Sequence, residues 1–265
     1  MRAILTVKQK TFLTPHYIRV ILEGAALETF AAARVGDNNK IIVPQEGIPL
    51  MLPDNPRSLT QEQAQRPIIR TYTMRNLDLE KGEMTIDFVA HGEEGPASRW
   101  ALHAQKGDEL LVMMKEKTKP LFIPSDRYIL VGDHTALPVI SVLLESLPKN
   151  AQGTAIIEVY GKEDILDLRK PEGMDIQWQF NKTPGQGSAL AEAFKNIVIE
   201  KDQTHFIFAA AEYTIEDAIQ QHIRTAYDLE RKQWHAYSYW KYGLAEDASA
   251  ACLLYTSPSP RDGLL

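Results

Sequence analysis

The stretch Val131-Gly132-Asp133-His134-Thr135-Ala136-Leu137-Pro138 decides the fold, because an apolar run enters it and a helical pattern leaves it. Residues 128–131 are apolar, and from residue 137 to 147 apolar side chains recur at spacings of three and four. We predict that a buried strand ends at Gly132 and that a helix begins near Thr135, its N-cap. Free N–H groups at such a helix start favour an anionic cofactor. An ordinary strand-to-helix joint is the alternative.

Composition narrows the class of protein. The chain has 265 residues, of which 44% are hydrophobic and 24% charged, as in ordinary globular proteins of one or two domains. A net charge of −6 argues against a nucleic-acid-binding protein with a basic surface. No apolar run is long enough to span a bilayer, and the first residues lack the pattern of a signal peptide. We therefore expect a cytoplasmic protein without nucleic-acid or membrane partners.

The single cysteine, Cys252, lies in the string CLLYTSPSPRD, which matches a translated frame of a sequencing adapter. We interpret residues 246–265 as a disordered tail with adapter read-through from about residue 252; a natural disordered tail is the alternative. The chain before the tail then has no cysteine. This excludes disulfides, thiolate zinc sites, cysteine-ligated iron–sulfur clusters and a cysteine nucleophile, and we predict no metal site.

The first half of the chain has the pattern of an antiparallel β-barrel. Short strand patterns follow one another without intervening helices at residues 2–12, 16–22, 40–43, 68–74, 84–90 and 108–114. The proline-rich stretch 44–67 predicts a long surface loop, and residues 96–104 predict a short helix after Gly95.

Two pieces of this half carry possible chemistry. In Arg70-Thr71-Tyr72-Thr73, strand alternation puts Arg70 and Tyr72 on one face and the two threonines on the other. Arginine can bind a phosphate and a tyrosine ring can pack on a flat ring system, although a solvated edge strand has the same pattern. Further on, Gly95 allows close backbone approach, and Ala97 and Ser98 present N–H groups at a helix start, which predicts a pyrophosphate site.

From about residue 124, strands alternate with helices, which predicts a doubly wound parallel sheet. Ligands of such sheets bind at the carboxyl ends of the strands, where Asp133 and Glu212 both lie. No Gly-x-Gly-x-x-Gly is present, so the glycine pattern does not support a tight Rossmann-type dinucleotide site. A capping-box-like sequence at residues 214–217 predicts a helix that runs towards Glu230.

Three motifs together resemble one known family. Arg-x-Tyr-Thr, His-Gly-x-x-Gly-Pro-Ala-Ser-x-Trp and Gly-Asp-x-Thr-Ala-Leu-Pro occur here in the order and spacing of the siderophore-interacting proteins, a branch of the ferredoxin-reductase superfamily. The resemblance covers residues 1–245. It implies an FAD-binding barrel at 1–123, an NAD(P)H-binding α/β domain at 124–245, and reduction of an Fe(III)-siderophore to Fe(II), which releases iron in the cytoplasm.

The resemblance also implies the site residues. The implied cofactor contacts are Arg70, Thr71, Tyr72, Thr73, Asp87, Val89, His91, Gly95, Pro96, Ala97, Ser98, Asp133, Thr135, Ala136, Glu212, Tyr239 and Trp240. The implied cations for an anionic ferric siderophore are Lys40, Arg127 and Lys241. The flavin carries the redox chemistry, so no general acid or base is required.

This chain departs from the family pattern at three positions. Ala211 replaces the glycine of the Ala-Gly-Glu signature, His134 stands where glutamate is frequent, and Tyr242 stands where a second basic residue is usual. Two other functions stay open: a flavin reductase that acts on flavodoxin, ferredoxin or free flavin, and a non-catalytic siderophore-binding protein. The electron donor, whether NADH, NADPH or reduced ferredoxin, is open as well. We expect a monomer.

Overall fold

The computed structural model describes residues 1–52, 67–200 and 202–244. The predicted tail with Cys252, and residues 53–66 of the predicted long loop, lie outside the described residues. Among the described residues, no helix is both long enough and apolar enough to cross a membrane.

The first half folds into the predicted barrel, which closes in the order β1-β2-β5-β4-β3-β6 with antiparallel neighbours. Its strands are β1 (Arg2–Thr14), β2 (Tyr17–Glu23), β3 (Asn38–Val43), β4 (Ile68–Asp78), β5 (Glu83–Val89) and β6 (Glu109–Met113). Early in β1 every second side chain is buried, so that strand alternation builds the barrel core.

Two short helices accompany the barrel. Helix α1 (Pro96–His103) begins after Gly95, as the sequence predicts, and buries Ala97 and Ala101 in the barrel core. A 3-10 helix (Ala25–Phe30) that the sequence patterns did not predict buries Leu27 and Phe30 in the same core.

The second half forms the predicted parallel sheet, in the order β11-β10-β7-β8-β9. Its strands are β7 (Arg127–Gly132), β8 (Gln152–Val159), β9 (Met174–Phe180), β10 (His205–Glu212) and β11 (Trp234–Trp240). Helix α2 (Leu137–Ser146) packs on one face, and α3 (Leu190–Lys195) and α4 (Tyr213–Ala226) pack on the other. The doubly wound arrangement is confirmed, while the domain limits at residues 123 and 124 stay a prediction.

Two predicted helix starts in the second half of the chain, those of α2 and α4, were wrong in detail. The residue before α2 is Ala136, and Thr135 lies outside the helix because Asp133 accepts hydrogen bonds from both its backbone and its hydroxyl group. Helix α4 begins at Tyr213, one residue before the predicted capping box, and its N-cap is Glu212. It ends at Ala226 instead of near Glu230. Glu212 thus caps α4 in place of Thr214, whereas the N-cap of α2 is Ala136, which has no side-chain cap hydrogen bond.

Charged side chains connect the barrel to the sheet. Arg75 on β4 forms two hydrogen bonds with Glu145 on α2, at 2.5 and 2.9 Å. Asp164, which is 4% exposed, accepts hydrogen bonds from the Thr14 hydroxyl (2.7 Å), the His16 backbone (3.1 Å) and His16 Nδ1 (2.8 Å). We call these three bonds the Asp164 clasp. The His16 ring also stacks on Tyr160 at the end of β8, with ring centroids 4.5 Å apart.

Substitution of Asp164 tests the clasp. We expect Asp164→Ala to lower the free energy of unfolding by about 2 kcal/mol, because donors of the β1–β2 turn lose their acceptor in a buried position. Urea unfolding followed by circular dichroism gives the measurement. Asp167→Ala, three residues away and exposed, is the matched control and should cost about 0.5 kcal/mol or less. Equal losses in the two variants would contradict a stabilising clasp.

Candidate functional site

The Asp133 carboxylate ties together three strand ends of the sheet. It is 1% exposed, and its Oδ1 accepts hydrogen bonds from the backbone (2.8 Å) and hydroxyl (2.5 Å) of Thr135. Its Oδ2 accepts from the backbone N–H of Glu212 (2.8 Å) and from Nε1 of Trp240 (2.7 Å). One side chain after β7 therefore holds the loop before α2, the end of β10 and the end of β11.

Glu212 has a related role at the end of β10. Its Oε2 accepts from the backbone N–H (2.6 Å) and the hydroxyl of Thr214, and its Oε1 accepts from the backbone N–H of Tyr242 at 3.1 Å. The carboxylates of Asp133 and Glu212 are thus engaged within the protein. Both oxygens of each carboxylate accept hydrogen bonds, and these bonds fix the backbone at the carboxyl ends of the strands.

The predicted alternation of the tetrad on β4 is confirmed by its register with β3. Thr71 lies opposite Lys40, both side chains are exposed, and the lysine donates a hydrogen bond to the threonine hydroxyl. On the other face, the ring of Tyr72 lies 4.5 Å from that of Phe88, which in turn lies 5.5 Å from the Trp100 ring of α1. The face of β4 that carries Tyr72 is therefore connected through aromatic contacts to α1.

Arg70 lies on the same face of β4 as Tyr72 and is half-buried. Its guanidinium group donates to the Ile69 carbonyl at 2.7 Å. Partial burial and a planar fork of N–H donors suit an arginine that donates hydrogen bonds to a phosphate.

The start of α1 has the features of an anion site. Gly95 provides no side-chain cap, and the first turn contains no acidic residue, so backbone N–H groups point outward from a positive helix end. The loop before it is closed by Ser98, whose hydroxyl donates to the Gly92 carbonyl (2.6 Å) and accepts from the His91 backbone (3.1 Å).

Gly95 itself is explained differently from the sequence prediction. A Cβ at this position would lie 2.2 Å from Cε1 of His91, so the imidazole ring occupies the space beside the glycine. In this structure the lack of a side chain at Gly95 makes room for the His91 ring. The sequence prediction had instead explained this glycine by the close approach of a cofactor. Pro96, at the first helical position, has no N–H group to satisfy.

Asp87 and Val89 serve the scaffold in this structure. Both carboxylate oxygens of Asp87 accept from Arg19, at 2.8 and 2.7 Å, and the side chain is 2% exposed. Val89 is buried with Tyr17 in the apolar cluster between the barrel and α2.

The end of β11 brings the two halves of the chain together. The side chain of Tyr239 lies beside that of Thr73 in the β4 tetrad. Two residues later, Nζ of Lys241 lies 4.3 Å from the centroid of the Tyr213 ring at the start of α4. Arg127, by contrast, is the first residue of β7 and lies at the amino end of that strand, whereas Asp133 follows its carboxyl end.

The residues present fit a flavin dinucleotide. The uncapped start of α1 and the half-buried Arg70 suit the two phosphates, and Tyr72 offers an aromatic ring on the same face of β4 as that arginine. Thr73, where Tyr239 reaches the barrel, lies on the other face of the same strand.

A second polar cluster, around a small cavity between the domains, was missed because it has no sequence motif. His134 is 6% exposed, its Nδ1 has no hydrogen-bond partner, and its ring lies 5.0 Å from that of Tyr160. It lines a cavity of about 10 Å³, room for one water molecule, together with His16, Tyr17 and Asp164. The Tyr17 hydroxyl is also buried and unpartnered.

Ligand atoms of His16, Glu163 and Asp164 lie within 4.8 Å of one another beside this cavity. The carboxylate of Asp164 already accepts three hydrogen bonds from the β1–β2 turn. We therefore interpret the cluster as a domain contact.

An antiparallel barrel followed by a parallel sheet, with an uncapped helix start and an Arg-x-Tyr-Thr strand, defines a flavoprotein of the ferredoxin-reductase superfamily. Two family models match: the siderophore-interacting FAD-binding domain over residues 6–116 and the siderophore-interacting protein over residues 125–243. The chain belongs to the siderophore-interacting protein family.

Known proteins agree with this assignment. The ferric vibriobactin reductase ViuB of Vibrio cholerae is 32% identical over 243 residues, which cover 91% of this chain and 89% of ViuB. The crystal structure of the siderophore-interacting protein SipS from Aeromonas hydrophila matches with a TM-score of 0.83 and 32% identity, over 96% of this chain and 97% of SipS. A ferredoxin-NADP+ reductase from Neisseria gonorrhoeae, at 12% identity and a TM-score of 0.61, covers 90% of this chain and 99% of its own and shares the fold.

Substitution of Asp133 tests its role as a connecting acceptor. In Asp133→Asn one carboxylate oxygen becomes an NH₂ group, which faces two donors in either orientation of the amide. We expect a loss of about 3 kcal/mol in the free energy of unfolding. The indole N–H signal of Trp240 should also shift in a ¹H–¹⁵N spectrum, because its acceptor changes. Asp175→Asn, the same change at an exposed position on β9, is the control and should leave both quantities unchanged.

The buried His134 makes stability depend on pH. Burial lowers the pKa of His134, so the folded protein keeps this ring neutral where the unfolded chain, with a pKa of about 6.5, binds a proton. Stability present above about pH 6.5 is therefore lost as the pH falls towards the lower folded pKa.

We expect the wild-type protein to lose more stability than His134→Gln between about pH 7 and pH 5. Urea midpoints across this range provide the measurement, and the slope with pH decides the outcome whatever the absolute stability of the variant. His103→Gln, at an exposed position, should keep the wild-type slope. Parallel slopes for all three proteins would show that His134 does not titrate differently in the folded state.

Proposed function

We propose that the protein reduces Fe(III) bound by a siderophore to Fe(II) in the cytoplasm, with FAD as the resident cofactor and NAD(P)H as the electron source. The contact between the side chains of Thr73 and Tyr239 carries this proposal. It brings the strand of the flavin motif next to the last strand of the parallel sheet, so that cofactors bound to the two domains would lie close together. The family assignment and the similarity to the ferric vibriobactin reductase ViuB support it.

For FAD, the chain offers separate groups for the phosphates and for the ring system. The N–H groups at the start of α1 and the Arg70 guanidinium would bind the diphosphate, because both are donors with positive electrostatic potential. Tyr72 and the Thr71–Thr73 edge of β4 would position the ring. When bound, the flavin supplies the conversion of a two-electron donor into one-electron steps.

For NAD(P)H, the proposed site is the carboxyl end of β7 and β10, where ligands of parallel sheets bind. Backbone groups at Thr135 and Ala136 precede α2, which has no side-chain cap and no acidic residue in its first turn. Asp133 and Glu212 would act there as positioning residues, since their oxygens are bound within the protein. The nucleotide would thus meet the start of α2, which is held in place because the N–H groups of Thr135 and Ala136 donate to Asp133.

For the ferric siderophore, the proposed contacts are cations close to the flavin strand. Lys40 is exposed beside Thr71 of the tetrad, and Lys241 follows the Trp240 that binds Asp133. In a protein of net charge −6, such local cations would attract an anionic chelate to one place. Arg127, at the amino end of β7, is a further candidate that lies apart from the strand ends.

Visible absorption of the purified protein tests the proposal. Under anaerobic conditions, a flavin spectrum should bleach when NADPH or NADH is added and recover when a ferric siderophore is added. A protein that cannot be reconstituted with FAD would overturn the proposal and favour a siderophore-binding protein. Bleaching without recovery by iron chelates, but with recovery by flavodoxin or free flavin, would favour another flavin reductase.

Arg70→Ala tests the phosphate contact. We expect FAD affinity to fall about tenfold or more, because a charge-assisted contact of about 1.5–3 kcal/mol is lost. Equilibrium dialysis and the ratio of flavin to protein absorbance measure the effect. Arg169→Ala removes an equal charge at an exposed position and should keep full flavin content. An Arg70→Ala protein that retains FAD as well as this control would move the phosphate site elsewhere.

A further inference from the structure

A loop with a fixed base lies between β9 and α3, at the carboxyl edge of the sheet. Residues 181–188, which we call the strap, have both ends bound to one buried carboxylate, Glu158 of β8, which is 2% exposed. Asn181 Nδ2 donates to Glu158 Oε1 at 3.1 Å, and the Ser188 hydroxyl donates to Oε2. Asn181 also donates to the Gly187 carbonyl at 2.8 Å, so the two ends of the strap are held together.

The tip of the strap is attached to Tyr242, which follows β11. The Tyr242 hydroxyl accepts a hydrogen bond from Gln186 Nε2 at 2.9 Å. The tyrosine ring packs directly on Gly185, where a Cβ would lie 2.4 Å from ring atom Cδ2. Tyr242 is in turn held by Glu212, whose Oε1 accepts from its backbone N–H at 3.1 Å. We call the contact of Tyr242 with Gly185 and Gln186 the latch.

The order of the strands places the latched strap across the proposed nucleotide site. Strand β7 lies between β8, which holds the base of the strap, and β10, whose end holds Tyr242. Neighbouring strands are about 4.8 Å apart, so a segment that links the ends of β8 and β10 passes the carboxyl end of β7. The helices after β7 and β10 pack on opposite faces of the sheet, and ligands of such sheets bind in the crevice between those two strand ends. The latch therefore closes over this crevice.

The tip of the strap can move while its base stays in place. Gln186 and Gly187 are exposed, and Gly185 and Gly187 have φ angles of +84° and +110°. In the described part of the chain, the apolar clusters of the sheet include no residue of the strap. A polar tip without apolar burial opens at a much lower free energy than the whole fold, whereas the base is bound to a buried carboxylate.

We propose that the strap is a gate over the nucleotide-binding edge of the sheet, that the latch holds it shut, and that the nicotinamide nucleotide binds after the tip has moved away. This inference rests on the proposed function, because it concerns regulation of the same NAD(P)H site. The apparent Kd is then the intrinsic Kd divided by the fraction of molecules whose strap is open. Tyr242, which stands where a second basic residue is usual, thereby sets the affinity for the electron donor.

Loss of the latch should tighten nucleotide binding. Tyr242→Phe removes the hydroxyl acceptor and keeps the ring, and Gln186→Ala removes the donor. In the FAD-loaded protein we expect each change to lower the Kd for NADP+ or NAD+ about threefold to tenfold, because one hydrogen bond fewer holds the strap shut. Titration calorimetry with the oxidised nucleotides measures binding without flavin reduction. The double variant should bind as tightly as either single variant, since both changes remove the same bond.

A matched control separates the latch from a general effect of losing a glutamine. Gln203→Ala also removes a side-chain hydrogen bond, the one to Glu200, but at the amino end of β10. This variant should bind the nucleotides as the wild-type protein does. A lowered Kd in Gln203→Ala as well would contradict a local gate.

Gly185→Ala disrupts the latch from the other side. Its Cβ would collide with the Tyr242 ring, and a φ of +84° is unfavourable for alanine, so the tip must leave its position. We expect the Kd to fall at least as far as in Tyr242→Phe. Gly82→Ala, at a positive φ with no atom within 4 Å of its Cβ, is the control and should leave the Kd unchanged.

Amide hydrogen exchange gives a readout apart from nucleotide affinity. The Gln186 N–H donates to the Thr183 carbonyl at 3.1 Å in the turn of the tip. It should exchange faster in Tyr242→Phe than in the wild-type protein, whereas the Leu190 N–H, which donates to Ser188 Oγ at the base, should keep its rate. Unchanged exchange at the tip would show that the latch does not hold it.

The outcomes distinguish the gate from the function on which it rests. If the wild-type protein binds NADP+ or NAD+ and the latch variants bind it equally well, the gate is overturned and the proposed function stands. A raised Kd in these variants would mean that the strap holds the nucleotide in place, which also overturns the gate. Nucleotide binding that occurs in the variants alone would support the gate. If neither NADPH nor NADH binds to any of these proteins or reduces their flavin, the proposed electron source is overturned together with the gate. If Gly185→Ala fails to fold, the two changes at the hydrogen bond decide.

Discussion

The arrangement of the sheet depends on one buried carboxylate. Asp133 accepts four hydrogen bonds, and these come from the loop after β7, from the end of β10 and from the side chain that ends β11. A carboxylate that is 1% exposed is costly to desolvate, and donors on both oxygens offset that cost. Any partner that moved away would leave charge unpaired, so the three strand ends are held as a unit.

The position of β11 in turn decides how the two domains meet. Because Trp240 is fixed to Asp133, the preceding Tyr239 reaches Thr73 on the barrel. The Asp164 clasp and the pairing of Arg75 with Glu145 join the domains at other places. Contacts between domains often permit motion, and hydrogen bonds at several separate places oppose it here. A site built from both domains needs such restriction, since its parts must keep their separation.

This organisation suits a protein whose redox chemistry belongs to a bound cofactor. The acidic residues at the strand ends bind backbone and side-chain donors of the protein. In a flavoprotein the cofactor carries out the redox chemistry, and the protein binds the cofactor, orients it and provides the surrounding charges.

The sequence by itself determined most of the strands and helices, the barrel and parallel-sheet architectures, and the family. Strand alternation and helical spacing are properties of neighbouring residues, so the alternation of Arg70 and Tyr72 was predicted correctly. The order of the three short motifs can likewise be identified from the sequence alone. Only the tertiary structure decided which polar groups meet. Thr135 is bound to Asp133 instead of capping α2, and Glu212 caps α4. The bond between His16 and Asp164 spans 148 residues, and no local pattern records it. Hydrogen bonds act over about 3 Å in space, so partners that are distant in sequence become visible only once the chain has folded.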